Sequence, residues 1–275
     1  MRSFEFHRPQ SLADASALLR AKGAAKLLAG GQSLLPVLKL DLAEPSDLVS
    51  LAGLAEIGEL RQIRSAGDDL VIGALATHDE VATSAEVRRR IPGLAGLAAG
   101  IGDAQVRNRG TIGGSLAHAD PAADYPAAVL ALGATIETDR RSIAAGDFFT
   151  GLFTTALAGD EIIRAVRFPV PERSAYAKFP HRASKYALVG VMVARTRAGS
   201  GGVRVAVTGA GTHAFRLPVL EAALAERFSR DQIEAVAADS TLVTPGQLRQ
   251  IGEASPEYLV HLVTVMARRA IQACS

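Results

Sequence analysis

A chain of 275 residues, 48% hydrophobic and 21% charged, is long enough to bury a sizeable core divided among two or three domains, and its composition excludes a disordered protein. The net charge of +2 argues against nucleic acid as a partner, and the single Cys274 excludes both an internal disulfide and a four-thiolate iron-sulfur cluster held by this chain alone. No apolar run reaches the roughly 18 residues of a membrane span, and the N-terminus lacks the apolar stretch of a secretory leader, so a cytoplasmic protein is expected. Phe4, Phe6 and His7 ahead of Pro9 predict a short strand. Ser11-Leu12-Ala13-Asp14 starts a helix in the manner of a capping box, and Gly23 stops it. Residues 24–29 read as a strand, 34–40 as a short helix that tolerates Pro36 in its first turn, and 48–51 as a further strand.

Residues 55–60 begin a second unit, and 70–75 have strand character. Thr77 is placed as the N-cap of a helix over 78–82, and a second helix over 87–101 is interrupted near Pro92. Arg88-Arg89-Arg90 reads as a solvated helix end, where basic side chains complement the dipole. A helix is predicted over 126–132 and strands over 134–138 and 162–168. Phe148, Phe149, Leu152 and Phe153 form an apolar patch, read as core or as an interdomain contact. Pro169 and Pro171 mark a domain boundary. Beyond it, strands over 187–195 and 203–207 are joined through Ala198-Gly199-Ser200-Gly201-Gly202 as a hairpin. Helices follow over 217–228, 230–238 and, with Ser255 as N-cap and Pro256 in first position, to 273. Gly209-Ala210-Gly211-Thr212-His213-Ala214 fits the G-x-G-x-x-A dinucleotide pattern, but Pro218 delays the helix that a phosphate site needs at the loop.

The most informative stretch is residues 101–126, IGDAQVRNRGTIGGSLAHADPAADYP. Gln105, Arg107, Asn108 and Arg109 are too polar for a core strand, and Ser115, His118, Asp120, Asp124 and Tyr125 crowd one loop with hydrogen-bonding groups. Gly113-Gly114, flanked by Thr111 and Ser115, reads either as a tight turn or as a cradle whose amides an anion can approach. A second pair, Gly30-Gly31, again follows an apolar run and is followed by Gln32-Ser33; neither pair sits in a Walker pattern. Ala29-Gly30-Gly31-Gln32-Ser33-Leu34-Leu35-Pro36, then Gln105-Val106-Arg107-Asn108 leading into Thr111-Ile112-Gly113-Gly114, then Asp120-Pro121-Ala122-Ala123-Asp124, resembles the FAD-binding medium subunit of the xanthine dehydrogenase and carbon monoxide dehydrogenase family over the whole chain.

That resemblance implies an α+β fold. A two-part, VAO-like FAD-binding domain of the PCMH type would span residues 1–54 and 55–170. A small C-terminal α/β domain of the CO dehydrogenase flavoprotein type, a three-stranded sheet with helices, would span 171–275. It places Leu28, Ala29, Gly30, Gly31, Gln32, Ser33 and Leu34 from one loop, with Thr111, Gly113, Gly114 and Ser115 from the other, around the cofactor diphosphate. Ile101 and Ile163 would sandwich the adenine, or are ordinary core residues. Asp120 and Asp124 belong to the matching Asp-Pro-x-x-Asp pattern; Asp124 contacts the cofactor, caps the helix after it, or does both. Lys178 and Arg182 match a basic pair near the flavin, or are solvated surface, and Tyr186 would lie close to the isoalloxazine.

In this reading the chain is an FAD-binding electron-transfer subunit of a molybdenum hydroxylase. A large partner holds the molybdenum cofactor, and a small partner passes electrons through [2Fe-2S] clusters. Together they would form a dimer of heterotrimers that delivers electrons to NAD, a quinone, a cytochrome or oxygen. The scattered His78, His118 and His181 lack the spacing of a metal site. Gln32 stands where carbon monoxide dehydrogenases typically carry His, which weakens carbon monoxide as the substrate. The alternatives are a self-sufficient flavin oxidase and a cofactor-free scaffold subunit.

Overall fold

In a computed structural model that describes residues 2–196, 202–229, 231–238, 242–243, 247–249 and 254–274, the chain lays down its sheets one after another. The first is formed by β1 (Glu5–His7), α1 (Leu12–Ala21), β2 (Ala25–Leu28), α2 (Leu34–Lys39) and β3 (Asp47–Ser50). Its strands lie in the order β1-β3-β2, and both pairings are parallel. Ser11 caps α1 as predicted, its hydroxyl accepting from the Asp14 amide at 3.1 Å. Leu12, Ala15 and Leu19 of α1 share one apolar cluster with Val49 and Leu51.

The next stretch runs α3 (Ile57–Arg61), β4 (Ile63–Ala66), β5 (Asp69–Gly73), α4 (His78–Thr83), α5 (Ala85–Arg90), α6 (Pro92–Ala99), α7 (Ala104–Arg107), α8 (Ile112–His118) and α9 (Tyr125–Ala131). It continues with β6 (Thr135–Thr138), β7 (Ser142–Ala144), α10 (Ala145–Phe148), β8 (Phe149–Gly151), β9 (Thr154–Thr155) and β10 (Ile163–Pro169). An antiparallel sheet, β4-β5-β10-β6-β7, packs against these helices. Thr77 makes a full capping box for α4: its hydroxyl takes the Glu80 amide at 3.2 Å, and Glu80 returns a carboxylate to the Thr77 amide at 2.7 Å. Helix α9 is buried over its whole length, which is why its sequence is apolar on every side.

Two surface expectations change. Arg90 is not solvated, because its guanidinium donates to the carbonyls of Gly67 and Asp69 and to Ser65, tying α5 to the β4–β5 turn. The phenylalanine patch divides: Phe148 and Phe149 are buried, whereas Leu152 and Phe153 are half-exposed at the tip of the β8–β9 hairpin, with Phe153 against the His118 ring.

The last sheet comprises β11 (Arg173–Pro180), β12 (Ala187–Arg195), β13 (Val203–Thr208) and β14 (Phe215–Arg216), and α11 (Pro218–Glu226), α12 (Asp231–Ala238) and α13 (Pro256–Cys274) complete the described chain. The sheet is antiparallel in that order, so the expected three strands are corrected to four. Residues 198–201 of the expected hairpin connection, and Arg230 at the expected start of α12, lie outside the described residues; β12 and β13 pair antiparallel as expected. Side chains on β12 alternate between two cores. Val189, Val191 and Val193 face the cluster that contains Leu259, Val263 and Met266 of α13, while Met192 and Ala194 join the core around α9. A strand covered on both faces is apolar at successive positions, which accounts for the valine-rich run. The G-x-G-x-x-A segment passes directly into β14 rather than into a helix, as its rejection required. No helix among the described residues is long and apolar enough to cross a membrane.

Candidate functional site

Both glycine pairs lie at the junction between the first two sheets. Leu28 ends β2, Ala29 to Ser33 form the connecting loop, and Leu34 opens α2. Gly31 takes φ +73°, a left-handed conformation that a side chain disfavours. At Gly30 an added Cβ would lie 2.0 Å from the Arg109 carbonyl oxygen, so this loop runs backbone against backbone with the segment entering the second loop. The Gly114 Cβ position in turn lies 3.8 Å from the Ala29 side chain. The amides of Gly30, Gly31, Gln32 and Ser33 donate to no acceptor among the described residues, and the Gln32 side chain folds back to the Gly30 carbonyl at 3.4 Å.

The second loop differs from expectation. The amides of Ile112, Gly113, Gly114 and Ser115 all have acceptors within the chain: Ala76 O at 3.1 Å, Ala74 O at 2.8 Å, Thr111 Oγ1 at 3.1 Å and Thr111 O at 3.0 Å. Thr111 is thereby the N-cap of α8, and a Cβ at Gly113 would fall 2.6 Å from Ala74 Cβ. These glycines allow close packing, and the donors left free belong to the first loop.

Ala119 takes φ +50° after α8, and Asp120 closes a turn by accepting the Ala122 amide at 2.8 Å. Asp124 does not cap α9 through its side chain. Its buried carboxylate accepts from the Tyr176 hydroxyl at 2.6 Å and from Lys178 Nζ at 3.1 Å, and Lys178 also donates to Gly100 O at 2.9 Å. Lys178 is therefore no solvated surface residue, its side chain being only 12% exposed. Burial raises the Asp124 carboxyl above the usual carboxylate range, with Lys178 and Tyr176 opposing the rise, and burial likewise raises the Tyr176 hydroxyl.

The third sheet holds this loop from outside. Thr208 Oγ1 lies 2.6 Å from Ala123 O and 2.9 Å from Pro121 O, the Gly209 amide donates to Pro121 O at 2.8 Å, and the Ala187 amide donates to Ala122 O at 3.2 Å. Tyr186, on the β11–β12 turn, is 41% exposed, and Ser33 opposes the rise that burial gives its hydroxyl, which brings the last sheet to the first loop. Arg249 donates to Gly209 O at 3.1 Å with its charge in the field of Asp120. Ile101 and Ile163 both pack in the core of the middle sheet, and Ile163 keeps only 7% exposure. His78 is buried beside Tyr125 and above Gly110, and its imidazole is pushed down to about 4 by burial and then by Arg107. Among the described residues, no group of His, Cys, Asp and Glu could hold a metal ion.

Sequence reasoning missed Tyr176, Thr208 and Arg249. For Tyr176 a signal existed, since Ser174, Tyr176 and Lys178 alternate along one strand, but three nearby prolines obscured the strand.

The donor set suits a dinucleotide: free amides for a diphosphate, on a loop whose Gly30 is packed against the second loop's backbone, and a buried acceptor for hydroxyls. Residues 2–171 match the family described as the FAD binding domain in molybdopterin dehydrogenase. The chain is 36% identical over 277 residues to the nicotine 6-hydroxylase medium subunit of Paenarthrobacter nicotinovorans, covering 98% of this chain and 96% of that one. It is also 36% identical over 282 residues to the carbon monoxide dehydrogenase medium chain of Hydrogenophaga pseudoflava, with the same two coverages. A solved structure of the Hydrogenophaga carbon monoxide dehydrogenase, lacking the Mo-pyranopterin moiety of its cofactor, superposes with a TM-score of 0.90 at 35% identity, over 99% of this chain and 97% of that one. With the interlocked glycine loops, the free amides and the full-length likeness in agreement, the chain belongs to the family of FAD-binding domains of molybdopterin dehydrogenases.

Proposed function

We propose that this chain is the FAD-holding electron-transfer subunit of a cytoplasmic molybdenum hydroxylase, assembled as a dimer of heterotrimers with a large molybdenum-cofactor subunit and a small [2Fe-2S] subunit. FAD supplies the change between two-electron and one-electron chemistry that links iron-sulfur clusters to an external acceptor such as NAD, a quinone, a cytochrome or oxygen. The observation that carries the reading is the pair of interlocked loops, with the amides of Gly30 to Ser33 free, in a chain of this family. Those amides would hold the diphosphate, Asp124 would accept from cofactor hydroxyls, and Tyr186 would cover the open side of the ring system. Ile101 and Ile163 would border the adenine. The stretches 1–54, 55–170 and 171–275 would act as three domains, with the cofactor between the first two and the third closing over it.

Relatives named for nicotine and for carbon monoxide are equally similar at 36%, so likeness alone selects no substrate. The test is the visible spectrum and metal content of the native complex beside those of the lone chain. Flavin bands from the lone chain, with iron and molybdenum only in the complex, are expected. Absence of flavin from both would overturn the assignment and leave the glycine loops as turns. Turnover of an organic substrate by the lone chain would instead favour a self-sufficient oxidase.

A further inference from the structure

We propose that Tyr176 is a positioning residue of the flavin site: from β11 its hydroxyl fixes one oxygen of the Asp124 carboxylate, so that Asp124 stands as an acceptor for a cofactor hydroxyl. The inference rests on the flavin reading and adds to it a residue outside both glycine loops. Tyr176 and Lys178 are two apart on one strand and so project from the same face, and each delivers a donor to Asp124, 52 residues earlier in the case of Tyr176. The neighbouring strand is notched to admit the hydroxyl. A Cβ at Gly190 would lie 2.1 Å from Tyr176 Oη and 3.0 Å from Thr208 Cγ2, and this glycine interrupts an otherwise apolar run. A tyrosine needed only for bulk requires neither the notch nor a 2.6 Å hydrogen bond.

The groups facing Asp124 are Tyr176 and Lys178 from β11, Tyr186 from the turn after it, and the adjoining Tyr125 of α9. Of these, Tyr176 and Lys178 donate to it. A carboxylate can only accept, whereas its protonated form gives up part of that capacity. Burial already favours the protonated form, and the Tyr176 hydrogen bond opposes it. Removing the hydroxyl therefore moves protonation of Asp124 to higher pH, and loss of the cofactor with it.

The experiment introduces Tyr176→Phe into the full chain, purified with the chains that accompany it, and measures the FAD-to-protein ratio after equilibration from about pH 8 down to about pH 4. The midpoint of FAD loss should rise by about one pH unit, about tenfold in proton concentration, as expected for deleting a hydrogen bond to a charged group. Retention at the alkaline end should be unchanged. Gly190→Ala, which displaces the hydroxyl and keeps the ring, should move the midpoint the same way, whereas Ser174→Ala, on the same strand with a buried hydroxyl that has no partner among the described residues, should not. An unmoved midpoint, or an equal loss of FAD at every pH, overturns the proposal while leaving the flavin reading intact. A wild-type protein without FAD at any pH overturns the flavin reading and this inference together.

Discussion

Gly30 is where chain identity and site geometry are most tightly joined. The atoms its Cβ would meet are the Arg109 carbonyl oxygen at 2.0 Å, its carbon at 2.7 Å and Gly110 Cα at 2.8 Å, all backbone, so no side chain can swing aside. Gly30→Ala should force the two loops apart, costing about 2 kcal/mol by overpacking and lowering Tm by about 5 °C. The free amides of residues 30–33 would then no longer be held against the second loop, and the purified variant should retain less than a tenth of the wild-type flavin. Gly96, mid-helix in α6 with nothing within 4 Å of its Cβ position, is the control: Gly96→Ala should leave flavin content unchanged and stabilise by up to about 1 kcal/mol. A thermal melt and an absorbance ratio decide both.

At the scale of elements, connections are made by side chains that satisfy several polar groups at once. Glu161 joins the β6–β7 turn to the loop before β10. Its carboxylate accepts from Thr138 Oγ1 at 2.8 Å, from Arg141 Nε and Nη2 at 2.9 Å each, and from the Ala158 amide at 3.0 Å. The Arg141 hydrogen bonds, the largest cause, hold its carboxyl down to about 2 from an ordinary 4.5, and its side chain is 1% exposed. A pKa depressed in the folded state gives stability that is complete above about 4.5 and is lost as pH falls toward about 2, on the order of 3 kcal/mol in all. Urea unfolding at pH values spanning that window should show the loss in wild type, and Glu161→Gln should remove that part of the slope. Elements of this kind were partly legible in the sequence. The caps at Ser11 and Thr77, the interruption at Pro92 and the helix starts near Pro218 and at Pro256 depend on residues within four positions of one another and lie where expected. Strand β11 was not, because Pro169 and Pro171 before it and Pro180 at its end imitate a linker, and its pairing with β12 is what makes it a strand.

Across the whole molecule, the site is assembled from groups too far apart in sequence for any local pattern to join. The glycine loops were legible as motifs, but the engagement of the Ile112 and Gly113 amides was not, since their acceptors at Ala76 and Ala74 lie on a different segment. Likewise the partners of the 120–124 loop come from beyond residue 171, where the family match ends. The third sheet is therefore part of the site's frame. Thr208, fully buried at the end of β13, is the most economical test of that view, because its hydroxyl serves the Pro121 and Ala123 carbonyls that flank Ala122. Thr208→Val keeps the shape and removes the donor, leaving the Ala123 carbonyl without that donor while Pro121 keeps the Gly209 amide, at a cost of about 1–3 kcal/mol. If the third sheet fixes the loop, hydrogen exchange at the Ala122 and Ala123 amides should quicken by tenfold or more while the β5–β10 amides stay protected. FAD should also dissociate faster from the variant. Equal acceleration of exchange in both regions would mean that Thr208 supports global stability alone, and unchanged FAD release would place the 120–124 loop outside the cofactor's frame.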